Sequence, residues 1–331
     1  MAVDSHIDAE GLVRRFGSIE AVAGVDLAVA SGEVFGFLGP NGAGKSTTVR
    51  MLTTLLRPTE GRASVAGHDV VKAADKVRRS IGVALQDAAI DPLMTGRELL
   101  RLQGVLHGFD KKRGLARGVE LLEKVGLSAA ADRRVGTYSG GMKRRLDLAL
   151  ALVHEPPVLF LDEPTTGLDP NSRLALWDEL RELNRGLGTT VFLTTQYMEE
   201  ADQLAGRIAI IDGGKIVAEG TPASLKARVG DPTLRVALAS AQDPVSAEAA
   251  LLEYGEPIPV APGYLSIRLP AGAKSLGSVA RALDESGVAI EGLELHFPTL
   301  DDVFQSATGR RLEGAAEAGT DSAPSPQNAP R

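Results

Sequence analysis

The sequence contains no cysteine, few aromatic residues and no long apolar run. The absence of cysteine excludes disulfides, iron–sulfur clusters, cysteine-ligated zinc and a thiol nucleophile. No stretch approaches the roughly 20 consecutive apolar residues of a membrane-spanning helix. The N-terminus also lacks the basic segment and apolar run of a secretory signal. We therefore expect a cytoplasmic protein that reaches a membrane only through a partner.

A surplus of basic residues is missing as well. The formal net charge is −7, and residues 231–302 carry 11 acidic against 4 basic residues. The preceding residues are close to neutral. Because nucleic-acid-binding surfaces are normally basic, we expect no nucleic-acid partner.

The 331 residues are 44% hydrophobic and 24% charged, which suits a globular chain of two domains. In the first 230 residues, short apolar runs alternate with helical patterns, which predicts a mostly parallel sheet covered on both faces. The predicted strands are 33–38, 81–85, 158–161, 190–194 and 208–211. The predicted helices are 45–56, 142–154 and 170–185, and Thr95 with Glu98 predicts a capping box at the start of another helix.

The turn Gly230-Asp231-Pro232 predicts a domain boundary, which gives a first domain of residues 1–230. Beyond it, strand and helix patterns follow in the order βαββαβ, which predicts a small ferredoxin-like α+β domain over residues 231–308. Its last helix, 300–307, is expected to begin with a capping box of Thr299 and Asp302. Residues 309–331 lack apolar periodicity, which predicts a disordered tail.

A complete G-x-x-x-x-G-K-[ST] motif lies between a predicted strand and a predicted helix. In this context the loop's backbone N–H groups and the helix N-terminus can bind phosphate. Lys45 can reach the β- and γ-phosphates, and the Ser46 hydroxyl can ligate Mg²⁺. The predicted ATP-binding loop comprises Gly39, Pro40, Asn41, Gly42, Ala43, Gly44, Lys45, Ser46 and Thr47.

Two adjacent acids, Asp162 and Glu163, follow a predicted buried strand. Carboxylates at the carboxyl end of a parallel strand lie at the ligand-binding edge of the sheet. Asp162 is placed to hold Mg²⁺, and Glu163 to polarise an attacking water as a general base. Such a pair can be merely solvated, but the phosphate loop favours the catalytic interpretation.

A third motif is Ser139-Gly140-Gly141. Ser139 can cap the following helix and leave its first N–H groups open to an anion. An ordinary capped helix has the same pattern, so the motif alone does not decide.

The order of these motifs resembles the ATP-binding cassette (ABC) ATPase family over about residues 7–225. The run TTQYMEEAD at 194–202 and the closing TLDDVF at 299–304 resemble the daunorubicin/doxorubicin-resistance exporter subfamily. The resemblance implies an α/β cassette of the P-loop NTPase fold, with an antiparallel β subdomain and a helical subdomain at about 90–155. It implies ATP hydrolysis that drives export through a separate transmembrane permease, with the chain peripheral on the cytoplasmic face of the membrane.

The resemblance also assigns roles to individual residues. Phe16 corresponds to the aromatic residue that stacks on adenine, although a strand core residue is the alternative. Gln86 corresponds to the glutamine that senses Mg²⁺ and water and links to the permease. Residues 139–141 correspond to the signature that contacts ATP bound to the opposite subunit, and Asp169 to an acid at that dimer interface. A dimer follows, which is expected to contain two copies of this chain, with one copy plus a paralogue as the alternative.

Two positions depart from the family pattern. Met142 replaces a glutamine just after the signature turn, where we expect a modest effect. Gln196 stands where most cassettes have a histidine that faces the γ-phosphate. A glutamine amide can donate a hydrogen bond but carries no charge, and charge-assisted bonds are roughly twice as strong. We therefore expect slower hydrolysis, unless Gln196 only ends a strand.

Other functions fit the sequence less well. An ABC ATPase that exports a lipid or polysaccharide stays open, because the energy-coupling residues do not identify the cargo. Non-transport ABC proteins commonly carry paired cassettes, coiled-coil insertions or basic arms, which this sequence lacks. A kinase or GTPase would not need residues 139–141. Residues 87–98 are a predicted permease-docking surface, and the acidic second domain is expected to stabilise a dimer or bind a partner, with ligand sensing as the alternative.

Overall fold

A computed structural model describes residues 5–85, 90–239, 244–258, 264–287 and 289–310. The chain divides into two compact units between Pro222 and Ala223. The Gly-Asp-Pro turn at residues 230–232 predicts the boundary a few residues further along the chain. The predicted tail lies outside the described residues, except for Gly309 and Arg310.

The first unit contains ten strands and seven helices in its described part. The strands are β1 (Ser5–Phe16), β2 (Ile19–Ala30), β3 (Val34–Leu38), β4 (Glu60–Val65), β5 (His68–Asp69), β6 (Ile81–Ala84), β7 (Val158–Asp162), β8 (Thr190–Thr195), β9 (Arg207–Asp212) and β10 (Lys215–Gly220). The helices are α1 (Lys45–Leu52), α2 (Ala74–Ser80), α3 (Gly96–Leu106), α4 (Lys111–Lys124), α5 (Gly140–Ala151), α6 (Pro170–Leu187) and α7 (Met198–Leu204).

The predicted parallel sheet has six strands in the order β10-β9-β3-β8-β7-β6. All neighbouring strands are parallel except β9 and β10. The Phe192 ring packs against three other buried phenylalanines of the sheet. Its centroid lies 5.6 Å from that of Phe35 and 5.5 Å from those of Phe37 and Phe160. Because β3, β8 and β7 are parallel neighbours, their carboxyl ends lie at the same edge of the sheet. The loops that follow these strands meet there.

A second, antiparallel sheet has the order β2-β1-β4-β5. Its buried side chains, such as Ile7 and Val22, belong to the same hydrophobic core as Phe35 of β3 and Met51 of α1. This sheet is thus joined by apolar packing to the helix that follows the phosphate loop.

Helices α3, α4 and α5 form the predicted helical subdomain. Thr95 and Glu98 form the expected capping box at the start of α3. Asp110 caps α4 by accepting a hydrogen bond from the Arg113 N–H at 2.8 Å. Leucines 100, 121, 122 and 146 are buried in the core of this subdomain.

Two predicted helices have different bounds in the structure. Helix α1 ends at Leu52 instead of residue 56, because Thr54 takes a left-handed conformation with φ 66°. Helix α5 begins at residue 140 instead of 142, because Ser139 is itself the N-cap. It ends at Ala151 instead of residue 154, ahead of a left-handed Glu155 and two prolines.

The second unit begins with α8 (Pro222–Val229), which the sequence had assigned to the first domain. Its other elements are β11 (Thr233–Leu238), α9 (Pro244–Leu251), β12 (Glu256–Ile258), β13 (Tyr264–Arg268), α10 (Leu276–Glu285), β14 (Ile290–His296) and α11 (Leu300–Thr308). The sheet is antiparallel with the order β12-β13-β11-β14. The predicted element order is observed, whereas the ferredoxin-like classification stays a prediction. Thr299 and Asp302 form the expected capping box of α11.

Among the described residues, every helix is too short or too polar to cross a membrane.

Candidate active site

The phosphate loop lies between the end of β3 and the start of α1. Gly44 is the N-cap of α1 and has φ 109°, a conformation that disfavours other residues. A Cβ atom at this position would also lie 2.5 Å from the Ala21 carbonyl oxygen. Gly44 is therefore required both by its backbone conformation and by the close approach of β2.

Lys45 is the first residue of α1, and its side chain is only 4% exposed. Its ammonium donates hydrogen bonds to the carbonyl oxygens of Gly39 at 2.7 Å and Pro40 at 3.1 Å. The Nζ atom also lies 3.2 Å from Oε1 of Glu163. The cation from the phosphate loop and the predicted general base from the end of β7 thus form a buried ion pair.

Asp162 accepts two hydrogen bonds at one carboxylate oxygen, Oδ1. One comes from the Ser46 hydroxyl at 3.2 Å and the other from the Thr194 hydroxyl at 2.5 Å. Thr194 is fully buried on β8, and its carbonyl oxygen accepts a bond from the Glu163 N–H at 3.1 Å. Sequence reasoning placed Thr194 in a strand and in the subfamily run 194–202, but assigned it no role in the site. The signal that could have found it is a threonine near the end of a strand beside the phosphate loop.

Glu163 has φ 48°, so a non-glycine residue occupies the left-handed region directly after β7. Such a conformation costs about 1–3 kcal/mol and persists where the surroundings impose it. Here the ion pair with Lys45 and a hydrogen bond from the Thr166 hydroxyl to Oε2, at 3.3 Å, hold the carboxylate. The backbone strain therefore coincides with the predicted general base.

The residues around Asp162 suit a hard cation such as Mg²⁺, which prefers oxygen ligands and keeps several waters. The Ser46 hydroxyl and the Asp162 carboxylate already lie within hydrogen-bond distance of each other. Among the described residues, no cluster of three or more histidine or acidic side chains is suited to a metal. Besides these two side chains, a bound Mg²⁺ would need oxygen ligands such as an amide, nucleotide phosphates and water.

Of three further predicted site residues, the structure describes two. Gln196 is half-buried and follows β8 directly, where the Gly39 N–H donates to the Thr195 carbonyl oxygen at 3.2 Å. Phe16 is 46% exposed at the end of β1, so it lies outside the core, with the Arg14 guanidinium carbon 4.5 Å from its ring centroid. Gln86 lies outside the described residues.

The signature turn and Asp169 each begin a helix. Ser139 accepts a hydrogen bond from the Met142 N–H at 3.2 Å and so caps α5. Asp169 caps α6 and accepts from the Ser172 hydroxyl at 2.6 Å and the Ser172 N–H at 3.0 Å, which together lower the pKa of its carboxyl. No hydrogen bond or ion pair among the described residues joins residues 139–141 to the phosphate loop of the same chain.

Arg144, on α5, is a second residue that sequence reasoning missed. Its guanidinium is hydrogen-bonded to the carbonyl oxygens of Leu85, Asp162 and Pro164. No sequence motif used here contains it, because its partners are backbone atoms on other elements.

Comparison with known proteins identifies the family of the chain. Residues 22–166 match the family model described as ABC transporter. The chain is 49% identical to the daunorubicin resistance ATP-binding protein of Streptomyces coeruleorubidus, over 95% of this chain and 99% of that protein. It is 40% identical to the Nod factor export ATP-binding protein I of Burkholderia lata, over 93% and 98% of the two chains.

A solved structure resembles the first unit. It is an ATP-binding cassette determined as a dimer in a post-hydrolysis state with ADP and phosphate, with 27% identity and a TM-score of 0.60 over 65% of this chain and 98% of that one. The predicted resemblance to the drug-resistance subfamily is confirmed by the relatives, and the predicted cassette fold by the structural match. The chain belongs to the ATP-binding subunits of ABC transporters, whose nucleotide-binding domains bind and hydrolyse ATP.

Proposed function

We propose that this chain powers export of a drug or other hydrophobic compound by hydrolysing Mg-ATP, as a head-to-tail dimer on a separate permease. The observation that carries the proposal is the buried cluster in which Lys45 contacts Glu163 and Ser46 contacts Asp162. These pairs unite the phosphate loop with the acids at the end of β7.

In the proposed site, the loop from residue 39 to Thr47 wraps the phosphates, and Lys45 exchanges Glu163 for the β- and γ-phosphate oxygens. Phe16, exposed beside Arg14, stacks on the adenine. Ser46, Asp162 and Gln86 hold Mg²⁺, which neutralises phosphate charge when it is bound.

Hydrolysis then depends on positioning and charge. Glu163, freed from Lys45, orients and polarises the attacking water, and Gln196 donates a hydrogen bond toward the γ-phosphate. The backbone after β7 already points the Glu163 carboxylate into the site. Such preorganised groups stabilise the transition state because they need little rearrangement during the reaction.

Each site is completed by a second copy of the chain. The α5 N-terminus is capped by Ser139, and its first N–H groups are placed to bind the γ-phosphate held by the partner copy. Asp169 would lie at the same interface. The dimeric state of the similar solved cassette supports this arrangement.

The permease is proposed to dock beside a cavity of about 450 Å³ between β6, α3 and α5. Leu85 and Ile90, which flank the segment containing Gln86, line this cavity together with His107 and His154. Residues 90–98 of the predicted docking surface are described, and 87–89 are not. Docking there would place the chain on the cytoplasmic face of the membrane. The second unit is proposed to stabilise the dimer or bind a partner.

Names of relatives support a drug as the cargo. The relative named for daunorubicin resistance is more similar than the relative named for Nod factor export, at 49% against 40% identity. Export of a lipid or polysaccharide is the second candidate, because a cassette of this family serves a different named cargo at that identity.

Drug efflux tests the proposal. Cells that express this chain with its permease should lose accumulated daunorubicin faster than cells with the permease alone. Glu163→Gln should bind ATP but abolish efflux, whereas Lys45→Ala should lose ATP affinity and turnover together. Equal efflux with wild-type chain and Glu163→Gln would exclude drug export, and lipid or polysaccharide secretion would then be measured in the same cells.

A further inference from the structure

Arg144 is mostly buried at the point where α5 meets the ends of β6 and β7. It follows Ser139 by little more than one turn of α5, and its side chain is 11% exposed. Nε donates to the Pro164 carbonyl oxygen at 2.9 Å, Nη1 to that of Leu85 at 2.7 Å and Nη2 to that of Asp162 at 2.9 Å. One side chain thus holds three backbone segments.

The three carbonyl groups belong to functional segments. Leu85 directly precedes Gln86, and Asp162 and Pro164 directly flank Glu163. Each of the three carbonyl groups therefore belongs to a residue that is part of the proposed hydrolytic site or directly adjoins one of its residues in the chain.

The guanidinium suits this role because its N–H donors have a fixed planar arrangement. A lysine ammonium is a point charge on a flexible stem and cannot reach three separated carbonyl groups at once. Asp147, one turn further along α5, lies 3.3 Å from Nη1 through Oδ2 and is 12% exposed. The geometry of Arg144 is thus fixed from both sides, by the backbone carbonyls and by a carboxylate on its own helix.

We propose that Arg144 is a positioning residue that couples the two ATP sites of the dimer. It attaches α5, whose N-terminus would face ATP on the partner copy, to the backbone of Leu85, Asp162 and Pro164, which adjoins Gln86 and Glu163 in the chain. A displacement of these segments when ATP binds or is hydrolysed would move α5 with them. This inference rests on the proposed composite dimer.

Purified Arg144→Ala and Arg144→Lys variants test the inference, with Lys143→Ala as the matched control. Lys143 is the neighbouring cation on α5, and no hydrogen bond or ion pair of its side chain occurs among the described residues. Because Lys45 and the phosphate loop are unchanged, ADP affinity by titration calorimetry should stay within about twofold of wild type in all three variants.

The expected loss is in turnover. Both Arg144 variants should lower kcat by about tenfold or more with KM changed by less than about threefold, since misplaced catalytic groups affect the transition state more than binding. Arg144→Lys should not rescue kcat. Added to Glu163→Gln, Arg144→Lys should also raise the Mg-ATP concentration needed for dimer formation.

Two results would overturn the inference. One is wild-type kcat and wild-type dimer formation in both Arg144 variants. The other is a parallel loss of ADP affinity, melting temperature and kcat, which indicates a role in stability alone. Failure of Glu163→Gln by itself to dimerise would instead contradict the composite dimer, and a kcat loss in Arg144→Lys at constant KM would then confine Arg144 to positioning within one site.

Discussion

At the scale of single residues, a few buried polar groups determine the chemistry of the site. Glu163 is held in a left-handed conformation by contacts with Lys45 and Thr166, and Asp162 accepts hydrogen bonds from Ser46 and Thr194. Each acid is thus fixed by residues from two or more elements. The candidate site is a property of the folded sheet edge and not of any one motif.

Gln196 is expected to limit the rate of hydrolysis. Replacing Gln196 with histidine introduces a side chain that can carry positive charge toward the γ-phosphate, so turnover should rise by several-fold, in line with the roughly doubled strength of a charge-assisted hydrogen bond. The turnover of wild type and of Gln196→His is measured as steady-state ATP hydrolysis at pH values around neutral. Unchanged turnover in Gln196→His would show that the residue only ends β8.

His154 should make the folding stability depend on pH. Burial and then the stacked ring of His107, 3.8 Å away, lower the pKa of His154 to about 4 from an ordinary 6.5. The folded state therefore favours the neutral ring, and its stabilising contribution is complete above pH 6.5 and is lost as the pH falls from 6.5 toward 4. Since the ring is partly exposed, the loss should be about 1–2 kcal/mol.

Replacing His154 with glutamine should remove this pH dependence while keeping a donor for the Ile81 carbonyl oxygen, which the ring contacts at 3.0 Å. Urea unfolding at about pH 7.5 and about pH 5 should show a larger loss in wild type than in His154→Gln. His296→Gln, at an exposed position in the second unit, is the control. Identical losses in wild type and His154→Gln would refute the prediction.

At the scale of elements, helix starts were the features that the sequence predicted best. A cap is a local interaction, so Thr95 with Glu98 and Thr299 with Asp302 are readable as short patterns. Helix ends were less accurate, because the left-handed Thr54 that ends α1 has no comparable signal.

The difference between local and long-range interactions also decided which residues of the candidate site the sequence could predict. The phosphate loop is one contiguous motif and Asp162 with Glu163 is another, so motif and context were sufficient to select them. The structure brings the two motifs together. Thr194 and Arg144 were missed because their partners lie on other elements and, for Arg144, are backbone atoms. Packing with distant segments, which no single-sequence pattern records, determines such contacts.

The capping box of α3 should stabilise the helical subdomain. Thr95→Ala removes the side-chain acceptor of the Glu98 N–H and should cost about 1 kcal/mol. Amide hydrogen exchange of the first turn of α3 should become faster, while exchange in β1 and β2 stays unchanged because the buried side chains of those strands belong to a different hydrophobic cluster. Unchanged exchange in α3 would contradict a stabilising cap.

At the scale of the whole molecule, the proposed dimer would form two composite sites, and each copy of the chain would supply one half of each site. Lys45 and Glu163 are joined within the chain, whereas residues 139–141 make no hydrogen bond or ion pair with the phosphate loop of the same chain among the described residues. A second copy would bring the two halves together. ATP would then be the ligand that stabilises the dimer, and hydrolysis the step that releases it.

The molar mass of the Glu163→Gln variant in solution tests the proposed composite dimer most directly. Light scattering with saturating Mg-ATP should give twice the chain mass of 34.6 kDa, because the variant binds ATP without hydrolysing it. The same variant without nucleotide, or with Lys45→Ala added, should give the mass of one chain. A single-chain mass for Glu163→Gln at saturating Mg-ATP would contradict the composite site.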